Sequence, residues 1–173
     1  VFNETLRRRP DLAHLWFQDW YYDRRNEERP GEQPYFTSPL ACWHDGLLSI
    51  RYIRSFLESA QRHEAVPRRT DDEKAFLDLI DEITTEDGIA LHMDFLPGDI
   101  QFLCNYSTLH SRTEYEDWPE PERKRHLLRL WISLDDGRPL PEHFGRGVTA
   151  GLAGRGGIPP VPELADPLAG TDI

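Results

Sequence analysis

The side chains best suited to chemistry fall in two groups in the second half of this 173-residue chain. The first is His92-Met93-Asp94. Alternate residues of a strand share a face, so His92 and Asp94 would present an imidazole and a carboxylate together, as a metal site of two histidines and one carboxylate requires. His110 would complete the set, but Pro97-Gly98-Asp99 is a tight turn that sets the register against it. Asp94 then pairs near Gln101 and His92 near Leu103, which leaves His110 about seven residues beyond, over 20 Å away at roughly 3.3 Å per residue. A metal bond is about 2 Å, so the three share one ion only if the strand folds back sharply. The second group is Arg125, Leu127, Arg129 and Trp131, which alternate along one face of an apolar strand over Lys124–Leu134. Two arginines on an inner strand face are costly unless anions meet them, and the planar guanidinium fork suits carboxylates. Those anions are either ligands or buried Asp and Glu of the chain itself. The other histidines carry less: His14 and His63 lie on charged helices and read as surface residues, His44 belongs to a turn, His126 faces away from Arg125, and His143 sits in the tail.

The elements that must position these groups are readable in outline. Asn3 is placed to cap a short helix, Pro10 ends it or opens the next, and Leu12, Leu15 and Trp16 give Asp11–Phe17 a helical stripe. Residues 23–34 read as a charged, proline-bounded loop. Tyr35–Trp43 reads as a strand, His44-Asp45-Gly46 as a turn and Leu47–Tyr52 as the returning strand. Ile53–Arg62 turns helical. Thr70-Asp71-Asp72-Glu73 is a capping box ahead of a helix whose apolar face carries Ala75, Phe76, Leu79, Ile80 and Ile83. Beyond Gly88 the period shortens, with strands expected over Ile89–Leu96, Ile100–Cys104, Ser107–Arg112 and Lys124–Leu134. From Gly137 onward lie 8 of the 12 glycines and 6 of the 14 prolines. That tail builds no core of its own and must wrap the domain or stay disordered.

Composition narrows the function classes. Lys and Arg number 20 against 31 Asp and Glu, a net charge of −11. That balance argues against general nucleic-acid binding and against docking on anionic lipid. No apolar run reaches the roughly 20 residues that span a bilayer. Two cysteines, Cys42 and Cys104, make no disulfide framework, so a reducing, cytoplasmic setting is expected.

The cluster P-G-D-I-Q-F-L-C-N-Y-S-T-L-H-S-R, followed by R-K-R-H-L-L-R-L-W-I-S, resembles the C-terminal half of the Fe(II)/2-oxoglutarate-dependent dioxygenases of the taurine dioxygenase (TauD/TfdA) family. The shared elements are the Pro-Gly-Asp turn, an Asn shortly before Leu-His-x-Arg, and the Arg-x-Leu-x-Arg strand. Upstream, N-E-T-L-R-R-R-P-D-L, Y-F-T-S-P and D-G-L-L-S-I-R-Y-I-R resemble that family's middle region, so the likeness runs from about Asn3 to Ser133. It implies an α+β protein built on a double-stranded β-helix, or jelly roll, with covering helices. Residues 1–136 would be the C-terminal part of that domain, with a helical insert over 53–85 and the tail as 137–173. It implies that His110 is the distal iron ligand, that Arg125 holds the far carboxylate of 2-oxoglutarate, and that Arg129 faces an anionic end of the substrate. No catalytic residue is separate from these sites. The implied partners are a small organic substrate and O2, and homo-oligomerisation is left open.

One departure shapes the expectation. The family's other two iron ligands, a His-x-Asp or His-x-Glu, precede the region matched by Asn3–Leu12, and Val1–Asn3 cannot supply them. The chain is therefore expected to be part of a longer oxidoreductase, lacking the front of the jelly roll and inactive alone. The rival reading is a jelly-roll binding or structural module without redox activity. On the first reading the isolated chain should not bind Fe(II) tightly. Anaerobic titration calorimetry measures this, and stoichiometric binding of micromolar or better affinity that needs His92 and Asp94 would restore the local triad.

Overall fold

Trp16 organises the first half of the protein. Its indole is fully buried, and its N–H donates to Thr5 Oγ1 over 2.7 Å. Thr5 in turn donates to the Phe2 carbonyl over 2.7 Å, which fixes helix α1 (Phe2–Arg8) on the 3₁₀ helix Pro10–Trp16. The computed structural model describes residues 1–28, 30–130, 132, 137–141 and 144. Val1, not Asn3, is the N-cap of α1. The second segment is 3₁₀ rather than α-helical: Pro10 opens it, and the tighter turn brings Leu12, Leu15 and Trp16 all to buried positions.

Two antiparallel pairs follow. Strand β1 (Asp19–Asp23) pairs with β2 (Tyr35–Pro39), Tyr21 opposite Thr37. Strand β3 (Ala41–His44) pairs with β4 (Leu47–Ile50), Trp43 opposite Leu48. The expected single strand Tyr35–Trp43 is thus divided at Leu40, whose buried carbonyl accepts the Arg51 N–H over 2.7 Å. The expected turn is present: Asp45 and Gly46 both take positive φ, 48° and 74°, the two-residue hairpin geometry that matches strand twist. Strand β1 was not anticipated, although Asp19-Trp20-Tyr21-Tyr22-Asp23 has the aromatic content strands favour.

Helices α2 (Arg54–Ala60) and α3 (Asp71–Thr84) complete this body. The capping box forms as expected, with the Glu73 N–H donating to Thr70 Oγ1 over 3.2 Å and the Thr70 N–H to Glu73 Oε2 over 2.8 Å. Phe76, Leu77, Ile80 and Ile83 are buried, so Leu77 rather than Leu79 is at the centre of the apolar face. Phe76 receives Trp16 edge-on at 5.2 Å and lies against Trp20 at 6.3 Å. Arg8 on α1 closes on Glu86 beyond α3, its Nη2 2.6 Å from Oε2. Two antiparallel pairs and three α-helices support the α+β class.

The strands expected between Ile89 and Leu130 do not form ladders. Among the described residues of this stretch there is one 3₁₀ turn, Pro121–Arg123, and no strand. The backbone has no neighbouring strand to bond to, and side chains of both parities are open: Leu91 is 83% exposed, Phe102 82% and Leu128 82%. Of the tail, residues 137–141 and 144 lie against the β3–β4 hairpin, where Arg138 Nε donates to Ser49 Oγ over 2.7 Å and Nη2 to the Leu48 carbonyl. Leu140 and Phe144 form a small cluster with Cys42 and Tyr106. No helix of the described residues is long and apolar enough to cross a membrane.

His63 is not a surface residue. It sits just beyond α2, meets the Tyr35 ring at a tilt with centres 5.5 Å apart, and contacts Asp23 Oδ1 at 3.2 Å. Asp23, 1% exposed, also receives the Arg25 N–H over 2.9 Å and Arg62 Nη2 over 3.1 Å. Burial works against the charged form, but these donors together with Ser59 outweigh it and hold the carboxyl at about 2, below its ordinary 3.8. Between those values the unfolded chain carries a proton that the folded protein does not, so Asp23 stabilises above the upper value and loses its effect as pH falls toward the lower. Linkage puts this at roughly 2–3 kcal/mol. Asp23→Asn should lower stability by about that amount near neutral pH and flatten the acid limb, read by urea unfolding between about pH 7 and pH 2.5.

Candidate functional site

Among the described residues the segment that carries His110 meets the folded body at a backbone bond from the Ile50 N–H to the Tyr106 carbonyl, 2.8 Å long. Around Tyr106 the chain turns tightly, with the Ser107 and Thr108 N–H groups both 3.1 Å from the Cys104 carbonyl. Tyr106 also meets Phe144 at 6.3 Å. The turn brings Asn105 back to His110, whose Nε2 lies 3.0 Å from Asn105 Oδ1. The amide of Asn105 thus orients the imidazole ring through Nε2. His110 itself is exposed.

The preceding Pro97-Gly98-Asp99 turn is as expected, without the flanking strands. The Asp99 N–H donates to the Leu96 carbonyl over 3.0 Å, the Leu96 N–H to Asp99 Oδ2 over 2.8 Å, and Gly98 takes φ 96°. His92 and Asp94 are exposed. Among the described residues no three His, Cys, Asp or Glu side chains gather into a metal-holding group, so the local triad of His92, Asp94 and His110 is not assembled.

Arg125 and Arg129 are likewise exposed. The Arg125 N–H donates to Asp117 Oδ1 over 2.9 Å, and its guanidinium lies 5.2 Å from the Tyr115 ring centre, sharing that ring with Arg112 at 4.6 Å. Arg112, Glu114, Tyr115 and Asp117 line an open depression of about 470 Å³ beside it. No carboxylate pairs with the guanidinium of Arg125 or Arg129 among the described residues. Trp131, the last member of the expected strand face, lies outside the described residues, as does His143. The structure brings His110 to Asn105 and Arg125 to Tyr115; it shows no contact joining His110 to either arginine.

The two cysteines have opposite environments. Cys42 is buried, and burial pushes its thiol up to about 11. Cys104 is exposed, and the Ser107 hydroxyl, the Tyr106 and Ser107 N–H groups and the Arg138 charge lower its thiol against a smaller opposing effect of burial.

A family profile described as "Taurine catabolism dioxygenase TauD, TfdA family" matches residues 1–131. The chain belongs to this family. It is 34% identical over 144 residues to the FR-33289 synthase of Streptomyces rubellomurinus, covering 82% of this chain and 42% of that protein. It is 34% identical over 139 residues to the taurine hydroxylase-like protein SAT17 of Stachybotrys chartarum, covering 79% of this chain and 34% of that one. The chain thus spans less than half the length of these relatives.

Sequence reasoning did not single out Asn105 as the partner of His110, Tyr106 as the anchor, or Arg51 beside it. The Asn-Tyr-Ser triplet has turn composition, and a turn placed there would have returned Asn105 toward His110. The thiol contrast gives a direct check. Iodoacetamide at neutral pH should alkylate Cys104 at least tenfold faster than Cys42, since only the thiolate attacks. Mass spectrometry after a short pulse reads both rates, and Cys104→Ser should remove the fast phase.

Proposed function

We propose that the protein acts as an Fe(II)- and 2-oxoglutarate-dependent dioxygenase that hydroxylates or oxidises a small, anionic organic substrate with O2. The observation that carries this reading is the family match over residues 1–131, which takes in both the Leu109-His110-Ser111-Arg112 and the Arg125–Arg129 motifs. The described residues alone do not fit an iron centre: they offer His110 and gather no three-ligand group. His110 is therefore read as one ligand, the other two coming from outside residues 1–131. In the same reading residues 1–136 form the C-terminal part of a jelly roll, and the largely exposed stretch 89–130 gains its ladder from strands that this chain does not contain.

The roles of the protein's own side chains follow from their chemistry. Asn105 orients the His110 ring, as a hydrogen-bond partner of a ligating histidine does. Arg125, with Tyr115 beneath it and no carboxylate of its own, receives the distal carboxylate of 2-oxoglutarate in a two-pronged contact. Arg129, four residues on and so on the same face by the strand period, faces the anionic end of the primary substrate.

Losing a charge-assisted contact costs about 1.5–3 kcal/mol, so in the protein carrying the whole domain Arg125→Ala should raise the apparent 2-oxoglutarate constant roughly ten- to a hundredfold. Arg125→Lys should recover only part, because an ammonium lacks the fork. Arg129→Ala should weaken the primary substrate more than 2-oxoglutarate. Steady-state kinetics with each component varied separates the two. The reverse pattern would exchange the arginine roles, and no effect of either would remove this strand from the site.

A further inference from the structure

Arg51 is a partly buried cation with no acidic partner among the described residues. Its guanidinium lies 4.8 Å from the Tyr22 ring centre and 5.0 Å from that of Phe36, two rings stacked 5.2 Å apart within 9° of parallel. Nη1 is closed off from solvent and has no hydrogen-bond partner. Other arginines of the same body are paired, Arg8 with Glu86, Arg54 with Asp78, Arg62 with Asp23 and Arg69 with Glu58. No Asp or Glu among the described residues pairs with Arg51. Burial pushes its guanidinium below the ordinary value, yet an arginine keeps its proton in proteins. Aromatic faces offset part of the lost hydration; a buried charge of this kind still lacks the anion that normally accompanies it.

The backbone holds Arg51 in place from two directions. Its N–H donates to the Leu40 carbonyl over 2.7 Å, and its carbonyl accepts the Tyr22 hydroxyl over 2.9 Å. The preceding residue, Ile50, makes the 2.8 Å bond to Tyr106, so Arg51 stands where the folded body meets the segment leading to His110. The residue as a whole is partly rather than fully buried.

We propose that Arg51 receives an oxyanion of a bound small molecule, a carboxylate or phosphate-type group, at the junction of β4 and the Cys104–His110 turn. The rings of Tyr22 and Phe36 flank the fork and limit its movement. This assignment requires neither iron nor turnover, so it stands or falls separately from the oxidoreductase reading.

The test is titration of the 173-residue chain with sodium acetate, succinate or inorganic phosphate at ionic strength fixed with chloride, read by the Arg51 Nε–Hε resonance and by the thermal midpoint. The expected result is a saturable shift of that resonance and a matching rise of the midpoint. Tighter saturation by the carboxylates assigns a carboxylate ligand, and tighter saturation by phosphate assigns a phosphate-type one. Arg51→Met, close in shape, should weaken the response at least tenfold while unfolding no earlier than wild type in chloride alone. Arg51→Lys should fall between, since it keeps the charge and loses the fork. If Arg51→Met does not fold, the wild-type resonance decides alone. No saturable shift in the wild type, as when an acid of the chain already holds Arg51, overturns the proposal, and so does an equal midpoint response in Arg51→Met.

Discussion

The hydrogen bond from the Trp16 indole to Thr5 is the constraint on which the folded body rests. A buried indole N–H without a partner would cost about 1–3 kcal/mol, and Thr5 is the side chain that removes this cost. It can do so only if α1 lies across the 3₁₀ helix. Once that crossing is set, Phe2 meets Trp16 at 5.5 Å and Phe76 seats on its other side. Helix α3 is thereby brought against the first two elements. Trp20, whose N–H reaches the Leu15 carbonyl over 2.8 Å, carries the same packing into β1. The aromatic chain Phe2, Trp16, Phe76, Trp20 is thus continuous from the first helix to the first sheet.

Features decided by neighbours in the chain were legible in the sequence. The capping box of α3, the Asp45-Gly46 turn and the Pro97-Gly98-Asp99 turn each depend on residues within four positions of one another, and each stands where its residues put it. Features decided by partners far away were not. The Asp23 cluster joins residues 40 positions apart, and nothing local to His63 distinguishes it from a surface histidine. The division of Tyr35–Trp43 into two strands is set at Leu40 by a bond from Arg51, again a distant partner.

The same distinction governs the site. Residue types and order were enough to indicate the family, because Leu-His-x-Arg and Arg-x-Leu-x-Arg are local patterns. Their arrangement was not readable, because a strand acquires its faces only from the strands beside it. Residues 89–130 show this directly: period-two patterning persists in the sequence, yet with no neighbour to bond to it gives no sheet, and Arg125 settles against Tyr115 instead of an inner wall. Arg51 went unnoticed for the opposite reason. Its lack of an acidic partner among the described residues is a property of the packed state, which no local pattern announces.

Open main-chain edges beside Ile100, Phe102, Leu128 and Leu130 also bear on how copies of this chain meet one another. Short apolar, strand-prone runs with bare edges are the template along which identical chains stack into fibrils. Here Arg123, Lys124, Arg125 and Arg129 crowd the second run. Stacking in register would set each of these charges directly over its own counterpart, a repulsion that grows with every added copy, so they act as gatekeepers. Exposed like charges are screened within about 10 Å at 0.1 M salt. These cations therefore protect the run from itself at low ionic strength, and lose that effect as salt rises.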